Sequence, residues 1–283
     1  MNEAGLALAA SVAMHVTWNL LVRRQPSASY PLWWVLLGHL VLLAPVGWFL
    51  LWREATWSPA LLGAMLLSAS GNVVYFVGLR KAYECAPVAL VYPLVRSSPL
   101  LIALWSTALL GETLRPATWA GIVVTVVGLL LLAFAGTRPG AQRRALPWAL
   151  LSMLGTSLYS LSDKAATAYL DSFGAVLGYL SVGYAASWLA LTLQLRREQG
   201  VWVPPRRIRF SLFVIGGVCI GMAYALVIHA MRFLPAAEVV AYTNAGIVVA
   251  SVLSIAVFRE REHWRWRLVA AGVITFGLFL LSC

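Results

Sequence analysis

The sequence predicts an all-α integral membrane protein, with ten transmembrane helices arranged as two inverted five-helix repeats around a central cavity. The prediction depends on composition, on the spacing of apolar runs and on an internal repeat. Of the 283 residues, 61% are hydrophobic and only 11% are charged, whereas a soluble domain is about 25% charged. A soluble globule must keep a wetted surface, but a bilayer accommodates helices of roughly 20 apolar residues.

Apolar runs bounded by charged residues, proline or glycine give ten predicted spans. Most connections are short, which leaves no room for a soluble domain. The first run is interrupted by polar residues and lacks a basic lead, so we read it as a mature helix rather than a cleaved targeting segment. The predicted spans are 4–22, 31–52, 59–81, 86–110, 116–135, 146–168, 174–195, 209–232, 236–258 and 264–282.

The net charge and the spacing of the cysteines limit the kinds of partner that we expect for this chain. A net charge of +11 could suggest nucleic acid, but the basic residues lie in short loops between apolar runs, where the positive-inside rule places them. The cysteines Cys85, Cys219 and Cys283 have no paired spacing and predict neither a disulfide framework nor a metal site. We therefore expect a lipid bilayer and a small-molecule substrate as partners, with no nucleic acid, metal or cofactor.

Lysine and arginine sort by side of the membrane. Sixteen lie near the loops that follow odd-numbered spans, four lie on the opposite side, and Arg96 lies inside span 4. The positive-inside rule places the sixteen in the cytoplasm. We therefore expect a multi-pass protein of the cell inner (plasma) membrane with both termini outside the cytoplasm.

Two internal matches indicate a duplication. Pro87 and Pro235 open spans 4 and 9, Glu112 and Glu260 follow those spans, and both pairs are offset by 148 residues. Spans 1 and 6 carry matching polar stripes offset by 141 residues, on one helical face each. These stripes are Ser11, His15, Trp18 and Asn19, and Ser152, Thr156, Tyr159 and Ser160.

The repeats are predicted at residues 1–137 and 146–283, with five spans each. An odd number of spans makes the second repeat enter the membrane from the opposite side. Inverted repeats of this kind are typical of transporters, whose binding site lies near the midplane between the repeats.

Several sequence motifs resemble the EamA-like branch of the drug/metabolite transporter superfamily. The first repeat contains HVTWNLLVRR, APVALVYPL and LGETL followed by GIVVTVVG, and LPAAEVVAY and FREREHW echo them in the second. The second repeat departs from the pattern at Arg259, which occupies the position equivalent to Gly111 of the first repeat. The resemblance implies that spans 1, 3, 4, 6, 8 and 9 line a cavity, and that spans 5 and 10 support it and could join two protomers in a homodimer. It also implies amino acids, other small metabolites or drugs as substrates, often exported.

Arg96 is the strongest candidate for substrate binding. It lies near the middle of span 4 between Pro93 and Pro99, which predict a kinked helix. Its guanidinium fork suits a carboxylate or phosphonate. The alternative is a structural pairing with an acid or with backbone carbonyls.

Glu238, in the first turn of span 9, could pair with Arg96, receive a substrate amine or take up a proton, or simply be stabilised by the helix dipole. His15 could bind substrate or serve as a proton switch, or only join helices. The predicted substrate-binding residues are Arg96, His15, Trp18, Asn19, Asn72, Tyr75, Tyr92, Tyr159, Tyr224, Glu238 and Tyr242.

Three other features carry smaller predictions. Gly174–Gly178 and Gly217–Gly221 have the GxxxG spacing that permits close helix approach. Lys164, at the end of span 6, could guard a cavity mouth or extend toward the membrane surface.

These observations favour a secondary transporter that moves a small polar metabolite by alternating access, in the direction of export. The expected solute is an amino acid or another small molecule bearing a carboxylate or phosphonate, and coupling to protons is left open. The alternatives are efflux of drugs or cationic compounds, a channel, and an intramembrane enzyme. The sequence lacks HExxH, GxSxG and P-loop motifs, so we expect neither an enzyme nor ATP-driven transport.

Overall fold

The computed structural model describes residues 3–23, 25–26, 29–134, 139–256 and 263–283. These residues form α-helices joined by short connections, and their one β-type pairing is an isolated bridge between Ala55 and Leu170. The helices are α1 (Glu3–Arg23), α2 (Pro31–Leu42), α3 (Ala44–Glu54), α4 (Pro59–Cys85), α5 (Val88–Val95), α6 (Pro99–Leu110), α7 (Pro116–Phe134), α8 (Pro139–Ala166), α9 (Phe173–Gln199), α10 (Phe210–Ala230), α11 (Ala236–Tyr242), α12 (Ala245–Ala256) and α13 (Trp264–Leu281). The predictions that concern Arg259 and Glu260 lie outside the described residues.

Thirteen helices reduce to ten spans because three predicted spans are each divided in two. In the described residues, eight segments are long and apolar enough to cross a membrane, and α2 with α3 forms a ninth with a bend of 54°. The tenth, α8, has 28 residues and carries the polar stripe of the second repeat. The chain is therefore a multi-pass membrane protein of the predicted fold class.

Proline accounts for two of the three divisions. Pro45 lies in the first turn of α3, and Pro99 is the first residue of α6. A proline inside a helix removes one backbone donor, and its ring clashes with the carbonyl four residues earlier. Helical structure is interrupted at residues 96–98, between the two prolines from which the kink is predicted, whereas the sequence analysis treats span 2 as continuous.

The third division, between α11 and α12, has no proline. It falls at Thr243 and Asn244, where the Thr243 hydroxyl donates to the Val240 carbonyl at 2.6 Å. Hydroxyl groups bonded to their own backbone in this way compete with the helical ladder and often bend helices. The sequence analysis drew span 9 as continuous, so this break corrects it.

The helices pack with an internal two-fold symmetry. Helix α4 packs against α8, and its counterpart α10 packs against α1; α4 also contacts α9, and α10 contacts α2. The pairs α7 with α13 and α3 with α9 join equivalent spans of the two repeats. With five spans in each repeat, the symmetry relates inverted halves.

Glycine permits the closest of these approaches. A side-chain carbon built on Gly47 of α3 would lie 2.9 Å from the backbone nitrogen of Gly178 of α9. One built on Gly217 of α10 would lie 2.9 Å from the α-carbon of Gly38 of α2. Neither position has room for a larger residue, so the packing role predicted for the GxxxG glycines is confirmed at Gly178 and Gly217.

Candidate solute-binding site

The two repeats enclose a cavity whose walls come from spans 1, 3, 4, 6, 7, 8 and 9. Span 7 contributes through Tyr184, an addition to the six spans implied by the family resemblance. Seven of the predicted site residues lie in its lining: His15, Trp18, Asn72, Tyr75, Arg96, Tyr159 and Tyr224. The sequence analysis did not select Tyr184 or Thr243, which also line it.

Arg96 is positioned by two of the broken spans, span 4 and span 9. It follows the last residue of α5, where the helix ends, so its side chain leaves the break rather than a continuous helix. Its Nε and Nη2 donate to the Tyr92 hydroxyl at 3.0 and 2.8 Å, and Nη1 donates to the Thr243 hydroxyl at 3.0 Å. The guanidinium carbon also lies 5.1 Å from the centre of the Tyr92 ring. Two hydroxyl groups and an aromatic ring therefore fix the direction of the fork.

No carboxylate pairs with Arg96 among the described residues. Its protein partners are neutral hydroxyl oxygens, so its positive charge is not cancelled in the cavity. A charge inside a membrane protein is costly unless it is paired or faces a polar cavity. The arrangement therefore disfavours the structural pairing with an acid that the sequence left open.

Tyrosine rings form much of the remaining wall. Tyr159 of α8 packs edge-on against Tyr75 of α4 at 5.7 Å between ring centres and against Tyr224 of α10 at 5.4 Å. Tyr184 packs against Phe76 at 5.9 Å. Such rings provide apolar contact area with a polar hydroxyl end, which suits a small solute that is partly polar.

The polar residues of the stripe on α1 differ in their surroundings: some line the cavity and others bond within the helix. The Trp18 indole donates to His15 Nδ1 at 3.1 Å, which makes that ring nitrogen an acceptor. The Asn19 amide donates to the His15 backbone carbonyl at 2.8 Å. His15 and Trp18 thus line the cavity, whereas Asn19 is bonded within its own helix and lies outside the lining.

Three other predicted site residues lie outside the lining. Tyr92 lies under the Arg96 guanidinium, which it holds. Glu238 is 5% exposed and makes no ion pair with Arg96 in the described part of the chain. Tyr242 is the last residue of α11. Substrate contact by these three residues, as by the residues of the lining, stays a prediction.

Asp163 is a polar residue that the sequence analysis overlooked. It is 1% exposed in α8, where its Oδ1 accepts from the Ser68 hydroxyl and its Oδ2 from the Tyr224 hydroxyl, both at 2.6 Å. The signal was present in the sequence, because Asp163 follows Tyr159 by four residues and so continues the polar stripe of span 6.

The neighbouring Lys164 has a structural role. Its Nζ donates to the backbone carbonyls of Met231 and Leu234 at 2.5 and 3.1 Å. These carbonyls follow the end of α10, where helical partners are missing. Lys164 therefore neutralises a helix end, a role that neither prediction for it described.

One end of the bundle is held by a charged network made of Tyr30, Arg80, Lys81, Glu84, Glu198 and Gln199. Arg80 pairs with Glu198 and, at 2.8 Å, with Glu84. Lys81 pairs with Glu198 at 2.9 Å, and the Gln199 amide donates to the Tyr30 hydroxyl at 2.8 Å. The network joins the start of span 2 to the ends of spans 3 and 7.

The opposite end of α4 lies near a second contact between loops. The Thr56 hydroxyl donates to Asp171 at 3.1 Å, and the Ser172 hydroxyl bonds to Glu54. The Thr56 backbone nitrogen donates to the Tyr169 carbonyl at 2.9 Å. The cavity therefore lies between two sets of polar contacts, one at each end of the bundle.

Comparison with known proteins agrees with this architecture. The sequence profile of the EamA-like transporter family matches residues 3–134 and 143–283. No curated protein matches the chain in sequence. One solved structure, titled only "Crystal structure of protein", shares the fold with a TM-score of 0.71 and 20% identity, over 99% of this chain and 96% of that chain.

Proposed function

Because the chain belongs to the EamA-like transporter family, within the drug/metabolite transporter superfamily, we propose that it carries a small polar solute across the membrane by alternating access. The proposed solute bears a carboxylate or a phosphonate, as an amino acid does, and Arg96 is its anchor. The cell inner membrane is the proposed location, with the charged network facing the cytoplasm and export as the direction.

The observation that supports this solute class is the uncancelled charge of Arg96. The guanidinium lies in a lining of tyrosines and small polar groups, and the part of the chain that the structure describes holds it through the hydroxyls of Tyr92 and Thr243. A planar anion can take two parallel hydrogen bonds from such a fork. The surrounding rings would contact the rest of a small molecule.

Alternating access is supported by the arrangement of the ends. The cavity lies between inverted repeats, as in other carriers built from such repeats. The charged network holds one end, and the contact of Thr56 with Asp171 holds the other. Because hydrogen bonds and ion pairs between helix ends are individually weak, each set can break while the other persists.

The first experiment identifies the solute class by thermal shift on purified protein. A ligand that binds the folded state raises its apparent stability in proportion to the logarithm of its concentration over Kd. The panel is L-alanine, L-glutamate, methylphosphonate, uridine and tetraphenylphosphonium. We expect shifts with the carboxylate or phosphonate members.

The second experiment measures transport of the compound that binds. Proteoliposomes loaded with unlabelled compound should accumulate labelled compound by counterflow and should show saturation. A shift with tetraphenylphosphonium alone would replace the proposed solute with an organic cation. Flux without saturation or counterflow would indicate a channel and refute the carrier.

A further inference from the structure

Asp163 is a buried acid for which the solute-binding scheme above has no use. Both carboxyl oxygens accept hydrogen bonds from hydroxyl groups, Ser68 on α4 and Tyr224 on α10, at 2.6 Å each. Separations of this length are typical of hydroxyl donors to a carboxylate. The described residues contain no lysine, arginine or histidine that pairs with it.

A carboxylate in this setting is expensive, because an isolated ionised group in an apolar environment is strongly disfavoured unless it is paired. The least costly alternative is the uptake of one proton. The hydroxyl partners can accommodate that change, since serine and tyrosine hydroxyls both donate and accept. The site thus holds the same carboxyl group with or without its proton.

Tyr224 connects the acid to the cavity. Its ring lines the cavity beside Tyr159, and its hydroxyl bonds to Asp163 Oδ2. A proton delivered to the Tyr224 oxygen can therefore pass on as the hydroxyl gives its own proton to Oδ2. The carboxylate becomes a carboxylic acid and Tyr224 is left unchanged.

Among the residues that the structure describes, the titratable groups that face Asp163 are tyrosines. Helix α4 presents Ser68, and the tyrosines are Tyr159 of α8, Tyr179 and Tyr184 of α9, and Tyr224 of α10.

The charged groups of neighbouring elements are engaged elsewhere. Arg96, between α5 and α6, bonds to Tyr92 and Thr243. Lys164 of α8 bonds to backbone carbonyls. Glu238 of α11 makes no ion pair or hydrogen bond with Asp163.

We propose that Asp163 is the proton-binding residue of this protein, and that protonation of its carboxyl group through Tyr224 couples solute movement to the proton gradient. The coupling rests on the transport function proposed above, whereas the binding of a proton by Asp163 does not. Arg96 and Asp163 would then hold the two cargoes separately, an anionic group and a proton.

The proton-binding test needs no solute. Infrared difference spectra of the full-length protein in vesicles, recorded as pH is varied, report the carbonyl stretch of a protonated carboxylic acid. We expect a reversible band from a buried acid in the wild type, its loss in Asp163→Asn and its return in Asp163→Glu. Glu3→Gln, which alters an acid that is 67% exposed at the start of α1, should keep the band.

Two results of the infrared measurement would overturn proton binding by Asp163. The first is an unchanged band in Asp163→Asn. The second is a titration midpoint that moves when sodium chloride replaces choline chloride, which would reassign the site to sodium.

The coupling test uses counterflow of whichever panel compound binds. Asp163→Asn should retain exchange but lose its acceleration by an imposed pH gradient. Glu3→Gln, which alters an exposed acid at the start of α1, should retain both. Full acceleration in Asp163→Asn would refute coupling by this residue. Absence of exchange in the wild type would refute the transport function while leaving the infrared result standing.

Discussion

Asn244 donates a hydrogen bond of 3.2 Å to the backbone carbonyl oxygen of Arg96, and the two residues are 148 residues apart. That separation equals the offset between Pro87 and Pro235, so Arg96 and Asn244 occupy equivalent positions in the two repeats. Each lies at the break in its span. The two broken helices therefore meet at their breaks and are bonded there.

The variant Asn244→Ala should weaken this junction. Hydrogen bonds between helices in membranes contribute about 0.6 kcal/mol on average, so we expect the free energy of unfolding to fall by about that amount. Since Arg96 is then less firmly positioned, affinity for the solute should fall by up to about threefold. Thermal unfolding in detergent and ligand titration measure the two effects.

The control for this variant is Thr275→Ala. The Thr275 hydroxyl bonds to the Ala271 carbonyl of its own helix at 2.8 Å, so its loss should leave solute affinity unchanged. Equal affinity losses in the two variants would contradict the role of the junction.

Replacement of Arg96 should separate charge from geometry. Arg96→Ala removes a charged hydrogen-bonding group worth about 1.5–3 kcal/mol, which corresponds to roughly a 10- to 150-fold rise in solute Kd. Arg96→Lys keeps the charge but loses the fork, so we expect an intermediate affinity. Arg53→Ala, which alters an exposed arginine beside Phe49, should bind as the wild type does. Wild-type affinity for the solute in Arg96→Ala would refute the proposal that Arg96 anchors the solute.

Loss of the charged network should open its end of the cavity. Glu198→Gln removes the ion pairs with Arg80 and Lys81. At about 0.2–1 kcal/mol for each of the two pairs, labelling of the cavity should become roughly two- to thirtyfold faster. The measurement is the rate at which an impermeant thiol reagent, added from the side of the network, modifies Thr156→Cys in a chain whose native cysteines are serine.

The matched variant is Glu54→Gln, which replaces the charged acceptor of the Ser172 hydrogen bond at the opposite end with a neutral amide oxygen. It should speed labelling from the other side of the membrane. If both variants speed labelling equally from the same side, the two sets of contacts do not act as separate closures.

The close packing of α7 against α13 can be tested by comparing substitutions at two glycines of α13. A side-chain carbon on Gly277 would lie 2.6 Å from the Thr125 backbone nitrogen, whereas one on Gly272 would meet nothing within 4 Å. Gly277→Leu should therefore lower the free energy of unfolding by about 1–3 kcal/mol or more, and Gly272→Leu by less than about 0.5 kcal/mol. Thermal unfolding of both variants decides, and equal stability would contradict the close packing of the two helices.

The sequence predicted the spans well because apolar runs and prolines act locally. It located Arg96 and its kink for the same reason. The break at Thr243 escaped prediction, since no proline marks it and a threonine inside an apolar run is common. Asp163 escaped prediction because an acid beside Lys164, near the end of span 6, has the same sequence pattern as a charged residue at a helix end.

Helical spacing also predicts which face of a helix a side chain lies on, but not whether that side chain reaches the cavity. Tyr92 lies one turn before Arg96, so helical spacing predicts that its side chain lines the cavity. In the structure its hydroxyl instead lies under the guanidinium. Partners separated by more than a hundred residues, such as Arg96 and Thr243, depend on how the repeats dock, which no local pattern contains.

Helix α4 runs unbroken for 27 residues, a length of about 40 Å. It carries Arg80 and Lys81 near one end, Tyr75 in the cavity wall, and Ser68 against Asp163. As a stiff rod, it would move both ends by about 3.5 Å in opposite directions if it tilted by about 10° about its middle. Widening the mouth at one end and narrowing it at the other would then be a single lever-like motion that also shifts Ser68 relative to the carboxyl group it contacts.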